Sequence, residues 1–292
     1  MRVLEALISA LLVAGLYATM SYGLALIYGV MKIINLANAG AMMLGSFTTF
    51  FLWETFGLDP LLGAVIVAPV FFVLGAVLEL AFVRRVAGQK PVISLLLLFG
   101  ILLVMQAGAS LFLGGDVRAV RPVYVQEVIR LGDVTIAYTR LFVFIAGVVI
   151  LFALELFLRR TFLGRAIRAL AQDRDACRLA GIDVRRVAMI AFGLGTALAG
   201  VAGALLTLVF PFDPSNPFGI LQLKSFTIIV LGGLESVPGV AFAAFFLALA
   251  ESLTVTLSKP QLENLVSFVL LVLVLVVLPG GLASLIRRRR LA

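Results

Sequence analysis

The sequence predicts an all-α polytopic membrane protein, a helical bundle of eight or nine membrane segments. Hydrophobic residues make up 63% of the 292 residues and charged residues only 13%, whereas about a quarter of a soluble domain is charged. The apolar residues also fall in long runs separated by short polar connectors, and a helix needs about 20 apolar residues to cross a bilayer. We therefore expect the whole chain, 1–292, to form a single transmembrane domain.

Each apolar run is predicted to be helical. The runs lack the period-two alternation of barrel strands, and an isolated strand cannot satisfy its backbone polar groups in lipid. The first run continues as far as Val30, too long for the apolar core of a cleaved signal peptide. A ninth run, 219–234, is shorter, and it either crosses the membrane or re-enters it. The eight predicted spans lie near 4–30, 36–56, 61–83, 91–113, 141–158, 187–209, 238–257 and 262–279.

The placement of Lys and Arg predicts the orientation of the bundle. These residues are concentrated in the connector 84–90, in the loop 159–186 and in the tail 287–290. Under the positive-inside rule, such segments remain in the cytoplasm. The C-terminus is therefore predicted to be cytoplasmic and the N-terminus to lie on the other side.

The longest loop on the non-cytoplasmic side is predicted to be 114–140. It contains two β-favouring stretches, 117–125 and 134–138, on either side of a turn-like Leu-Gly-Asp sequence. That pattern predicts a small hairpin. A cap that docks a partner and a simple connector are equal alternatives for this loop.

The composition excludes several classes of function. Cys177 is the only cysteine, so no internal disulfide can form, and the absence of His removes the commonest metal ligand and general base. No G-x-x-x-x-G-K-[ST] motif is present, so the chain carries no nucleotide site of that type. The sequence predicts no enzymatic activity, metal, cofactor or nucleic-acid partner.

The loop 159–186 predicts a surface helix over residues 164–180. Ala, Leu, Arg and Gln are strong helix formers, and Gly181 suits the end of such a helix. One face is mostly small and could press into a groove of a partner, while the other presents guanidinium groups. A helix lying on lipid headgroups is the alternative, which the acidic residues of the loop disfavour. The first face consists of Ala166, Ala169, Leu170, Asp173 and Cys177, and the second of Arg165, Arg168, Gln172 and Asp175.

Polar residues within the apolar runs are costly at membrane depth and indicate function. Asn35 and Asn38 lie where Asn and Gly can break a helix and present its positive end to a carboxylate; a turn capped by Asn35 is the alternative. Lys224 is predicted to line a pathway or to form a gate with Glu251, or else to reach outward to the interface. Local structural roles are predicted for Glu79, Glu155 and Glu235.

A stripe of small residues runs along one predicted span. Gly195, Ala199 and Gly203 keep i, i+4 spacing within 187–209. Small residues let membrane helices approach closely. Packing against another helix therefore explains this stripe without a substrate.

Three segments of the chain resemble the branched-chain amino acid ABC permease family. The run GLYATMSYGLALIYGVMKIINLANAGAMMLGSF resembles its first spans. The run GRAIRALAQDRDACRLAGIDVRRV, followed by FGLGTALAGVAGAL, resembles its coupling-helix region, and LKSFTIIVLGGLESVPG with LALAES resembles its C-terminal spans. The motifs occur in the right order, and the length suits the shorter of the two permease subunits that such systems use. The chain departs from the family's usual INFAHG pattern and its following acidic residue, with Leu36, Asn38, Ala39 and Gly40 at those places.

The resemblance implies a subunit of an ATP-driven importer in the bacterial inner membrane. Two permease subunits would form the pathway, this chain together with a homologous subunit or a second copy of itself. Two ATP-binding subunits would sit on the cytoplasmic face, and a soluble binding protein would deliver a branched-chain or other hydrophobic amino acid. Amides, urea or small carboxylates are alternative substrates. A stand-alone secondary transporter with Glu251 or Glu79 as its ion site is an alternative mechanism.

The resemblance also implies where the ATP-binding subunits make contact. The segment 164–181 would be the coupling helix, which enters a groove of the ATPase. The pathway residues predicted above remain Asn35, Asn38, Lys224 and Glu251. The implied coupling residues are Gly164, Arg165, Ala166, Arg168, Ala169, Leu170, Asp173, Cys177 and Gly181.

Overall fold

Long α-helices make up most of the protein, as the sequence predicts. The structure, a computed structural model, describes residues 2–122, 124, 128–131, 134–214, 218–233, 236–257 and 260–277. Glu235 and the basic tail 287–290 lie outside these residues. The helices are α1 (Arg2–Met31), α2 (Ala37–Phe56), α3 (Pro60–Leu78), a π-helical turn (Glu79–Val83), α4 (Arg84–Val86), α5 (Pro91–Leu113), α6 (Tyr138–Arg160), α7 (Phe162–Gln172), α8 (Arg174–Leu179), α9 (Val184–Leu206), α10 (Phe218–Gly232), α11 (Val237–Leu257), a short 3-10 turn (Pro260–Leu262) and α12 (Glu263–Val277).

Six helices of the described chain are long and apolar enough to cross a membrane. They are α1, the continuous stretch from α3 to α4, α5, α6, α9 and α11. The helices α10 and α12 are apolar but shorter, and α2, with 20 residues, is not among the six. The prediction of an all-α, multi-pass membrane protein is confirmed. The predicted count of eight or nine membrane segments is not.

Two of these helices form the centre of the bundle. The most apolar window of α1 is 89% buried within the protein and that of α9 is 78% buried, against 17–33% for the other four spans. The helix α1 packs against α6, α9 and α11, while α9 also packs against α2 and α3. The outer helices expose large apolar side chains, among them Val104 and Phe112 of α5. Such faces suit a lipid environment, because lipid replaces water as the solvent around them.

The predicted stripe of small residues is a helix-packing surface. A Cβ atom on Gly195 would lie 2.5 Å from a side-chain carbon of Ile27 in α1, and one on Gly203 would lie 1.9 Å from the carbonyl oxygen of Met42 in α2. Ser46 Oγ of α2 donates a hydrogen bond to the carbonyl of Gly203, at 2.7 Å. The backbones of α2 and α9 therefore approach as closely as small residues permit, and the prediction is confirmed.

This contact predicts a large difference between two glycine substitutions. We expect Gly203→Ala to lower the free energy of unfolding by about 1–3 kcal/mol, because the new methyl meets a backbone carbonyl that cannot rotate away. Gly100→Ala in α5 is the matched control, since nothing lies within 4 Å of a Cβ there and Ala favours a helix over Gly. Thermal unfolding of both purified variants in detergent checks this, and equal melting temperatures would contradict the packing described.

The loop after α6 contains two helices, so the prediction of one helix over 164–180 is wrong. The helix α7 ends at Gln172, and the next residue, Asp173, is extended, with a φ of −150° and a ψ of 112°. Its carboxylate accepts hydrogen bonds from the N–H groups of Asp175 and Ala176, both at 2.9 Å, and so caps a new helix, α8. An Asp side chain satisfies the free N–H groups of a helix start, which stabilises a break here.

The end of α8 agrees with the sequence prediction. Gly181 has a φ of +76°, a left-handed conformation in which an L side chain is strained. Its N–H donates to the carbonyl of Arg178, and the N–H of Ile182 donates to that of Cys177. This pair of hydrogen bonds is the Schellman arrangement that closes many helices, so the prediction that Gly181 ends the helix is confirmed.

The predicted hairpin is present with a different first strand. Strand β1 (Val128–Leu131) pairs antiparallel with β2 (Val134–Ala137), and Leu131 faces Val134 in the register. The second strand matches the prediction, but 117–125 is not the first one. Arg118 instead forms an isolated antiparallel bridge with Phe212, which lies in the segment that follows α9. The backbone groups near Arg118 are thus satisfied by a distant segment that periodicity does not reveal.

Candidate functional site

The helix break predicted in the sequence IINLANAG is confirmed. The helix α1 ends at Met31 and α2 begins at Ala37. Lys32 takes a φ of +56°, which a non-glycine residue adopts at an energetic cost. The alternative, a turn capped by the Asn35 side chain, is not observed, since Oδ1 of Asn35 is buried and has no hydrogen-bond partner.

The helix α2 begins inside the apolar layer rather than at its edge. Gly40, in its first turn, packs against Leu102 and Met105 of α5. Those two residues lie near the middle of the 23-residue α5. The first N–H groups of a helix have no partner within the helix and carry its positive end. The start of α2 therefore brings that positive end to membrane depth.

A second short helix meets α2 at this point. Gln222 of the 15-residue α10 donates from Nε2 to the carbonyl of Asn35 at 3.1 Å. Its Oε1 accepts from Nδ2 of Asn38 at 3.5 Å. We call Asn35, Asn38, Gln222 and Ser225, which lies three residues after Gln222 in α10, the interior polar site. All four are buried, and three of their oxygens have no partner among the described residues: Oδ1 of Asn35, Oδ1 of Asn38 and Oγ of Ser225.

These free oxygens make the site a candidate for binding. A buried polar atom without a partner costs about 1–3 kcal/mol, so native proteins rarely leave three together. All three oxygens can accept hydrogen bonds, and Asn and Ser can also donate. The site can therefore receive N–H groups, from an ammonium or an amide, without carrying a formal charge of its own.

The predicted pair of Lys224 and Glu251 is present. Lys224 Nζ lies 3.1 Å from Oε1 of Glu251, and both side chains are about 95% buried. Nζ also lies 2.7 Å from Oε1 of Glu263, whose side chain is 38% exposed. The alternative in which Lys224 reaches outward to the interface is therefore not observed. One ammonium group joins α10 to both α11 and α12.

Two hydroxyl groups complete this arrangement. Tyr17 Oη of α1 donates to Oε2 of Glu251 at 2.6 Å and accepts from Lys224 Nζ at 2.9 Å. Ser267 Oγ of α12 donates to Oε1 of Glu251. We call Tyr17, Lys224, Glu251, Glu263 and Ser267 the ion network. It carries two carboxylates and one ammonium, and it ties four helices together.

The sequence did not reveal every member of these two sites. Glu263 lies at the start of a predicted span, where a carboxylate reads as an interfacial residue. Tyr17 and Ser267 are single hydroxyls in apolar runs and give no signal. Gln222 precedes Lys224 by two residues. Two polar residues so close together in an apolar run are the one sequence signal that could have indicated a polar site on α10. Glu155 pairs with Arg159, which agrees with the local structural role predicted for Glu155.

The residues predicted to contact an ATPase divide into buried and exposed sets. The small face does not point outward, because α7 packs on the rest of the bundle: a Cβ on Gly164 would meet the backbone of Phe157 and Leu158 in α6. The notion of a small face pressed into a partner's groove is therefore wrong. The buried residues are Gly164, Ala166, Leu170 and Cys177, Ala169 is half-buried, and the exposed ones are Arg165, Arg168, Asp173 and Gly181.

The exposed surface of α7 and α8 has a mixed character. Leu179, at the end of α8, is 92% exposed, and Phe162, at the start of α7, is 72% exposed. Arginines stand between them, including Arg165 and Arg168. Single exposed apolar side chains are common on protein surfaces and do not by themselves mark an interface. We call the exposed residues of 162–186 the projecting surface.

The chain is similar to known proteins over nearly its whole length. The chain is 30% identical over 295 residues to the high-affinity branched-chain amino acid transport system permease protein BraD of Pseudomonas aeruginosa, covering 96% of this chain and 95% of that protein. It is 30% identical over 296 residues to the corresponding LivH protein of Escherichia coli K12, covering 96% and 94%. LivM of the same organism is 34% identical over 131 residues, 44% of this chain and 30% of that protein.

A family model gives the same result. Residues 6–275 match the model described as branched-chain amino acid transport system, permease component. The matched region contains the interior polar site, the ion network and the projecting surface. The chain therefore belongs to the family of branched-chain amino acid transport permeases.

Proposed function

We propose that this chain is the membrane-spanning permease subunit of an ATP-driven, binding-protein-dependent importer for branched-chain or other hydrophobic amino acids. The observation that carries the proposal is the 30% identity to BraD and LivH over 96% of the chain. The whole chain acts as one permease domain in the bacterial inner membrane. ATP is hydrolysed on two separate ATP-binding subunits, since the sequence contains no phosphate-loop motif.

The second half of the pathway comes from another permease subunit. A LivM-like protein is the first candidate, because LivM itself resembles this chain over 131 residues. A second copy of this chain is the alternative. A soluble binding protein delivers the substrate on the non-cytoplasmic side, where the β1–β2 hairpin lies.

The proposed orientation places the projecting surface in the cytoplasm. In that orientation α2, α10 and α12 add to the six long spans, giving nine membrane segments and a cytoplasmic C-terminus. The N-terminal ends of α2 and of the 15-residue α10 meet at the interior polar site. Broken helices of this kind form the binding sites of many transporters.

The interior polar site supplies contacts for a passing substrate. The oxygens of Asn35 and Asn38 accept N–H groups of the substrate ammonium, and the positive end of α2 attracts its carboxylate. The ion pair between Lys224 and Glu251 breaks and re-forms as the helices move. The ion network acts as the gate beside the site, because α10, α11 and α12 can part only when its ion pairs break.

A second class of substrate, amides and urea, is supported by one observation. The interior polar site has no charged member, and amide groups line it. Amides or urea, which present N–H groups without a net charge, fit the same oxygens. Binding assays on the partner binding protein with leucine, acetamide and urea separate the two classes.

Docking of the ATP-binding subunits is proposed for the projecting surface. Arg165 and Arg168 offer guanidinium groups for carboxylates of the partner, and Leu179 offers an apolar anchor. The buried residues Gly164 and Leu170 hold α7 against the bundle, so that a push on the surface reaches α6 and α9. This is the coupling role that the resemblance implies for 164–181.

The proposal predicts substrate-dependent ATP hydrolysis. The chain, its partner permease and the ATP-binding subunits are reconstituted in nanodiscs, and the rate of phosphate release is measured with and without leucine-loaded binding protein. We expect at least a fivefold stimulation, and none when this chain is left out. Equal stimulation in its absence would show that another subunit provides the pathway.

A further inference from the structure

A cavity of about 740 Å³ lies at the end of the bundle that carries α7 and α8. Four parts of the chain form its walls: the end of α1, the π-helical turn with α4, α8, and the start of α9. It is separate from the interior polar site and from the ion network, and neither contributes a residue to it. Its ionisable lining residues are Glu79, Arg84, Arg174, Arg178, Asp183 and Arg185.

One wall carries a buried carboxyl group with one unpartnered oxygen, near the charge of Arg84. Glu79 is 2% exposed, and its Oε2 has no hydrogen-bond partner. No ion pair within 4.0 Å reaches it from the described residues. The sequence predicted a local structural role for Glu79, yet it begins the π-helical turn of five residues, Glu79–Val83. Single π-turns inside α-helices are frequently found at functional sites, and an unpaired buried charge is costly unless something binds it.

The facing wall carries a guanidinium group that is also incompletely satisfied. Arg174 Nε is buried and has no hydrogen-bond partner among the described residues. Other charges of the cavity are already engaged. Arg178 pairs with Asp175 at 3.1 Å, and the Asp183 carboxylate caps α9 by accepting from the N–H groups of Arg185 and Arg186. Oε2 of Glu79 and Nε of Arg174 therefore remain without a hydrogen-bond partner among the described residues, and the guanidinium groups of Arg84 and Arg185 also line the cavity.

We propose that this cavity binds a small zwitterion, a ligand that carries an ammonium group close to a carboxylate or a phosphate. Glu79 receives the ammonium, and Arg174 receives the anion, with Arg84 and Arg185 adding to the positive potential. A purely anionic ligand would leave Glu79 unpaired, and a purely cationic ligand would be repelled by the arginines. Only a ligand with both charges satisfies both walls, through charge-assisted hydrogen bonds on each side.

Two sources can supply this chemistry. A free α-amino acid can enter from the cytoplasm, and the headgroup of phosphatidylethanolamine can enter from the bilayer. Either ligand bridges α3 to α8, because Glu79 precedes α4 at the end of α3 and Arg174 begins α8. Occupancy therefore fixes α8, which belongs to the projecting surface, against the bundle. The site goes beyond the proposed function, since binding here requires neither an ATPase nor transport.

Binding to the purified chain in nanodiscs tests the proposal. The free amino acid is probed with radiolabelled L-leucine in nanodiscs of phosphatidylcholine and phosphatidylglycerol. Isovalerate, which lacks the ammonium, and isopentylamine, which lacks the carboxylate, serve as competitors. The lipid is probed by native mass spectrometry of chain released from nanodiscs that contain equal amounts of phosphatidylethanolamine and phosphatidylglycerol.

The expected result is that one of the two zwitterions binds and depends on both walls. Glu79→Gln and Arg174→Gln should each weaken leucine binding, or phosphatidylethanolamine retention, at least tenfold. Arg121→Gln, at an exposed arginine that does not line the cavity, should leave it unchanged. Leucine binding identifies the free amino acid, and selective retention of phosphatidylethanolamine identifies the headgroup. Binding that survives Glu79→Gln and Arg174→Gln, equal competition by isovalerate, or the absence of either ligand would overturn the proposal.

Discussion

Lys224→Met should lower the free energy of unfolding by about 3–5 kcal/mol, because it leaves two carboxylates of the ion network without their shared cation. Removing one partner of a buried ion pair has that cost, since the remaining charge cannot reach water. The Glu251 side chain is about 95% buried, while that of Glu263 is 38% exposed and can be hydrated. The loss should therefore come mainly from Glu251. Thermal unfolding of the purified variant in detergent measures it.

The double variant Lys224→Met with Glu251→Gln should regain most of that stability. It removes both buried charges, and neutral side chains of similar volume often replace a buried pair at little cost. The matched control is Arg178→Ala, which breaks an ion pair of the same 3.1 Å length whose side chains are 60% and 85% exposed. Exposed pairs contribute about 0–1 kcal/mol. A double variant no more stable than the single one would mean that the two charges do not act as a pair.

Transport by the same double variant separates a gate from a structural pair. If the ion network opens and closes in each cycle, uptake should stay at least tenfold below wild type although the fold has recovered. Uptake that returns together with stability would assign the network to folding alone. The readout is initial rate of leucine uptake per properly folded molecule, counted by size-exclusion chromatography.

Leu179→Asp should weaken the association with the ATP-binding subunits roughly 30-fold, or about 2 kcal/mol. Leu179 is 92% exposed at the end of α8, and truncating or charging an apolar anchor at the centre of an interface has effects of this size. Stability of the chain itself should not change, because the side chain touches little of its own protein. The dissociation constant of detergent-purified subunits, measured by biolayer interferometry, gives the result.

Val117→Asp provides the matched control for that variant. Val117 is also an exposed apolar residue, 67% exposed, and it lies in the segment between α5 and the hairpin. The same charge there should leave the association unchanged. An equal loss for both variants would place the docking surface elsewhere or indicate a general defect.

The sequence predicted the helical bundle and part of its interior chemistry. Lone charges in apolar runs are rare and costly, so Lys224 and Glu251 stood out, and the structure joins them. Glu263 did not stand out, because a carboxylate at the edge of an apolar run is ordinary. The depth of Asn35 could not be predicted either, since periodicity marks a helix but not where in the bilayer it begins.

The loop 159–186 shows a different limit. Helix propensity favours one continuous helix. The carboxylate of Asp173 instead caps the following turn, which stabilises a new helix start more than a continuous helix. Asp183 caps α9 in the same manner, and Asp175 pairs with Arg178. In the sequence, these acidic residues disfavour a helix bound to lipid headgroups. Local capping and pairing account for all three, so the exposed Leu179 and membership of the family are the observations that support docking.

Uptake of radiolabelled leucine into proteoliposomes tests whether this chain forms part of an ATP-driven importer. The vesicles contain this chain, its partner permease and the ATP-binding subunits, with ATP inside and loaded binding protein outside. We expect accumulation that requires ATP, the binding protein and this chain, and that fails with Leu179→Asp. Leucine uptake by this chain alone, driven by a proton or sodium gradient and indifferent to ATP, would contradict the account and establish a stand-alone secondary transporter.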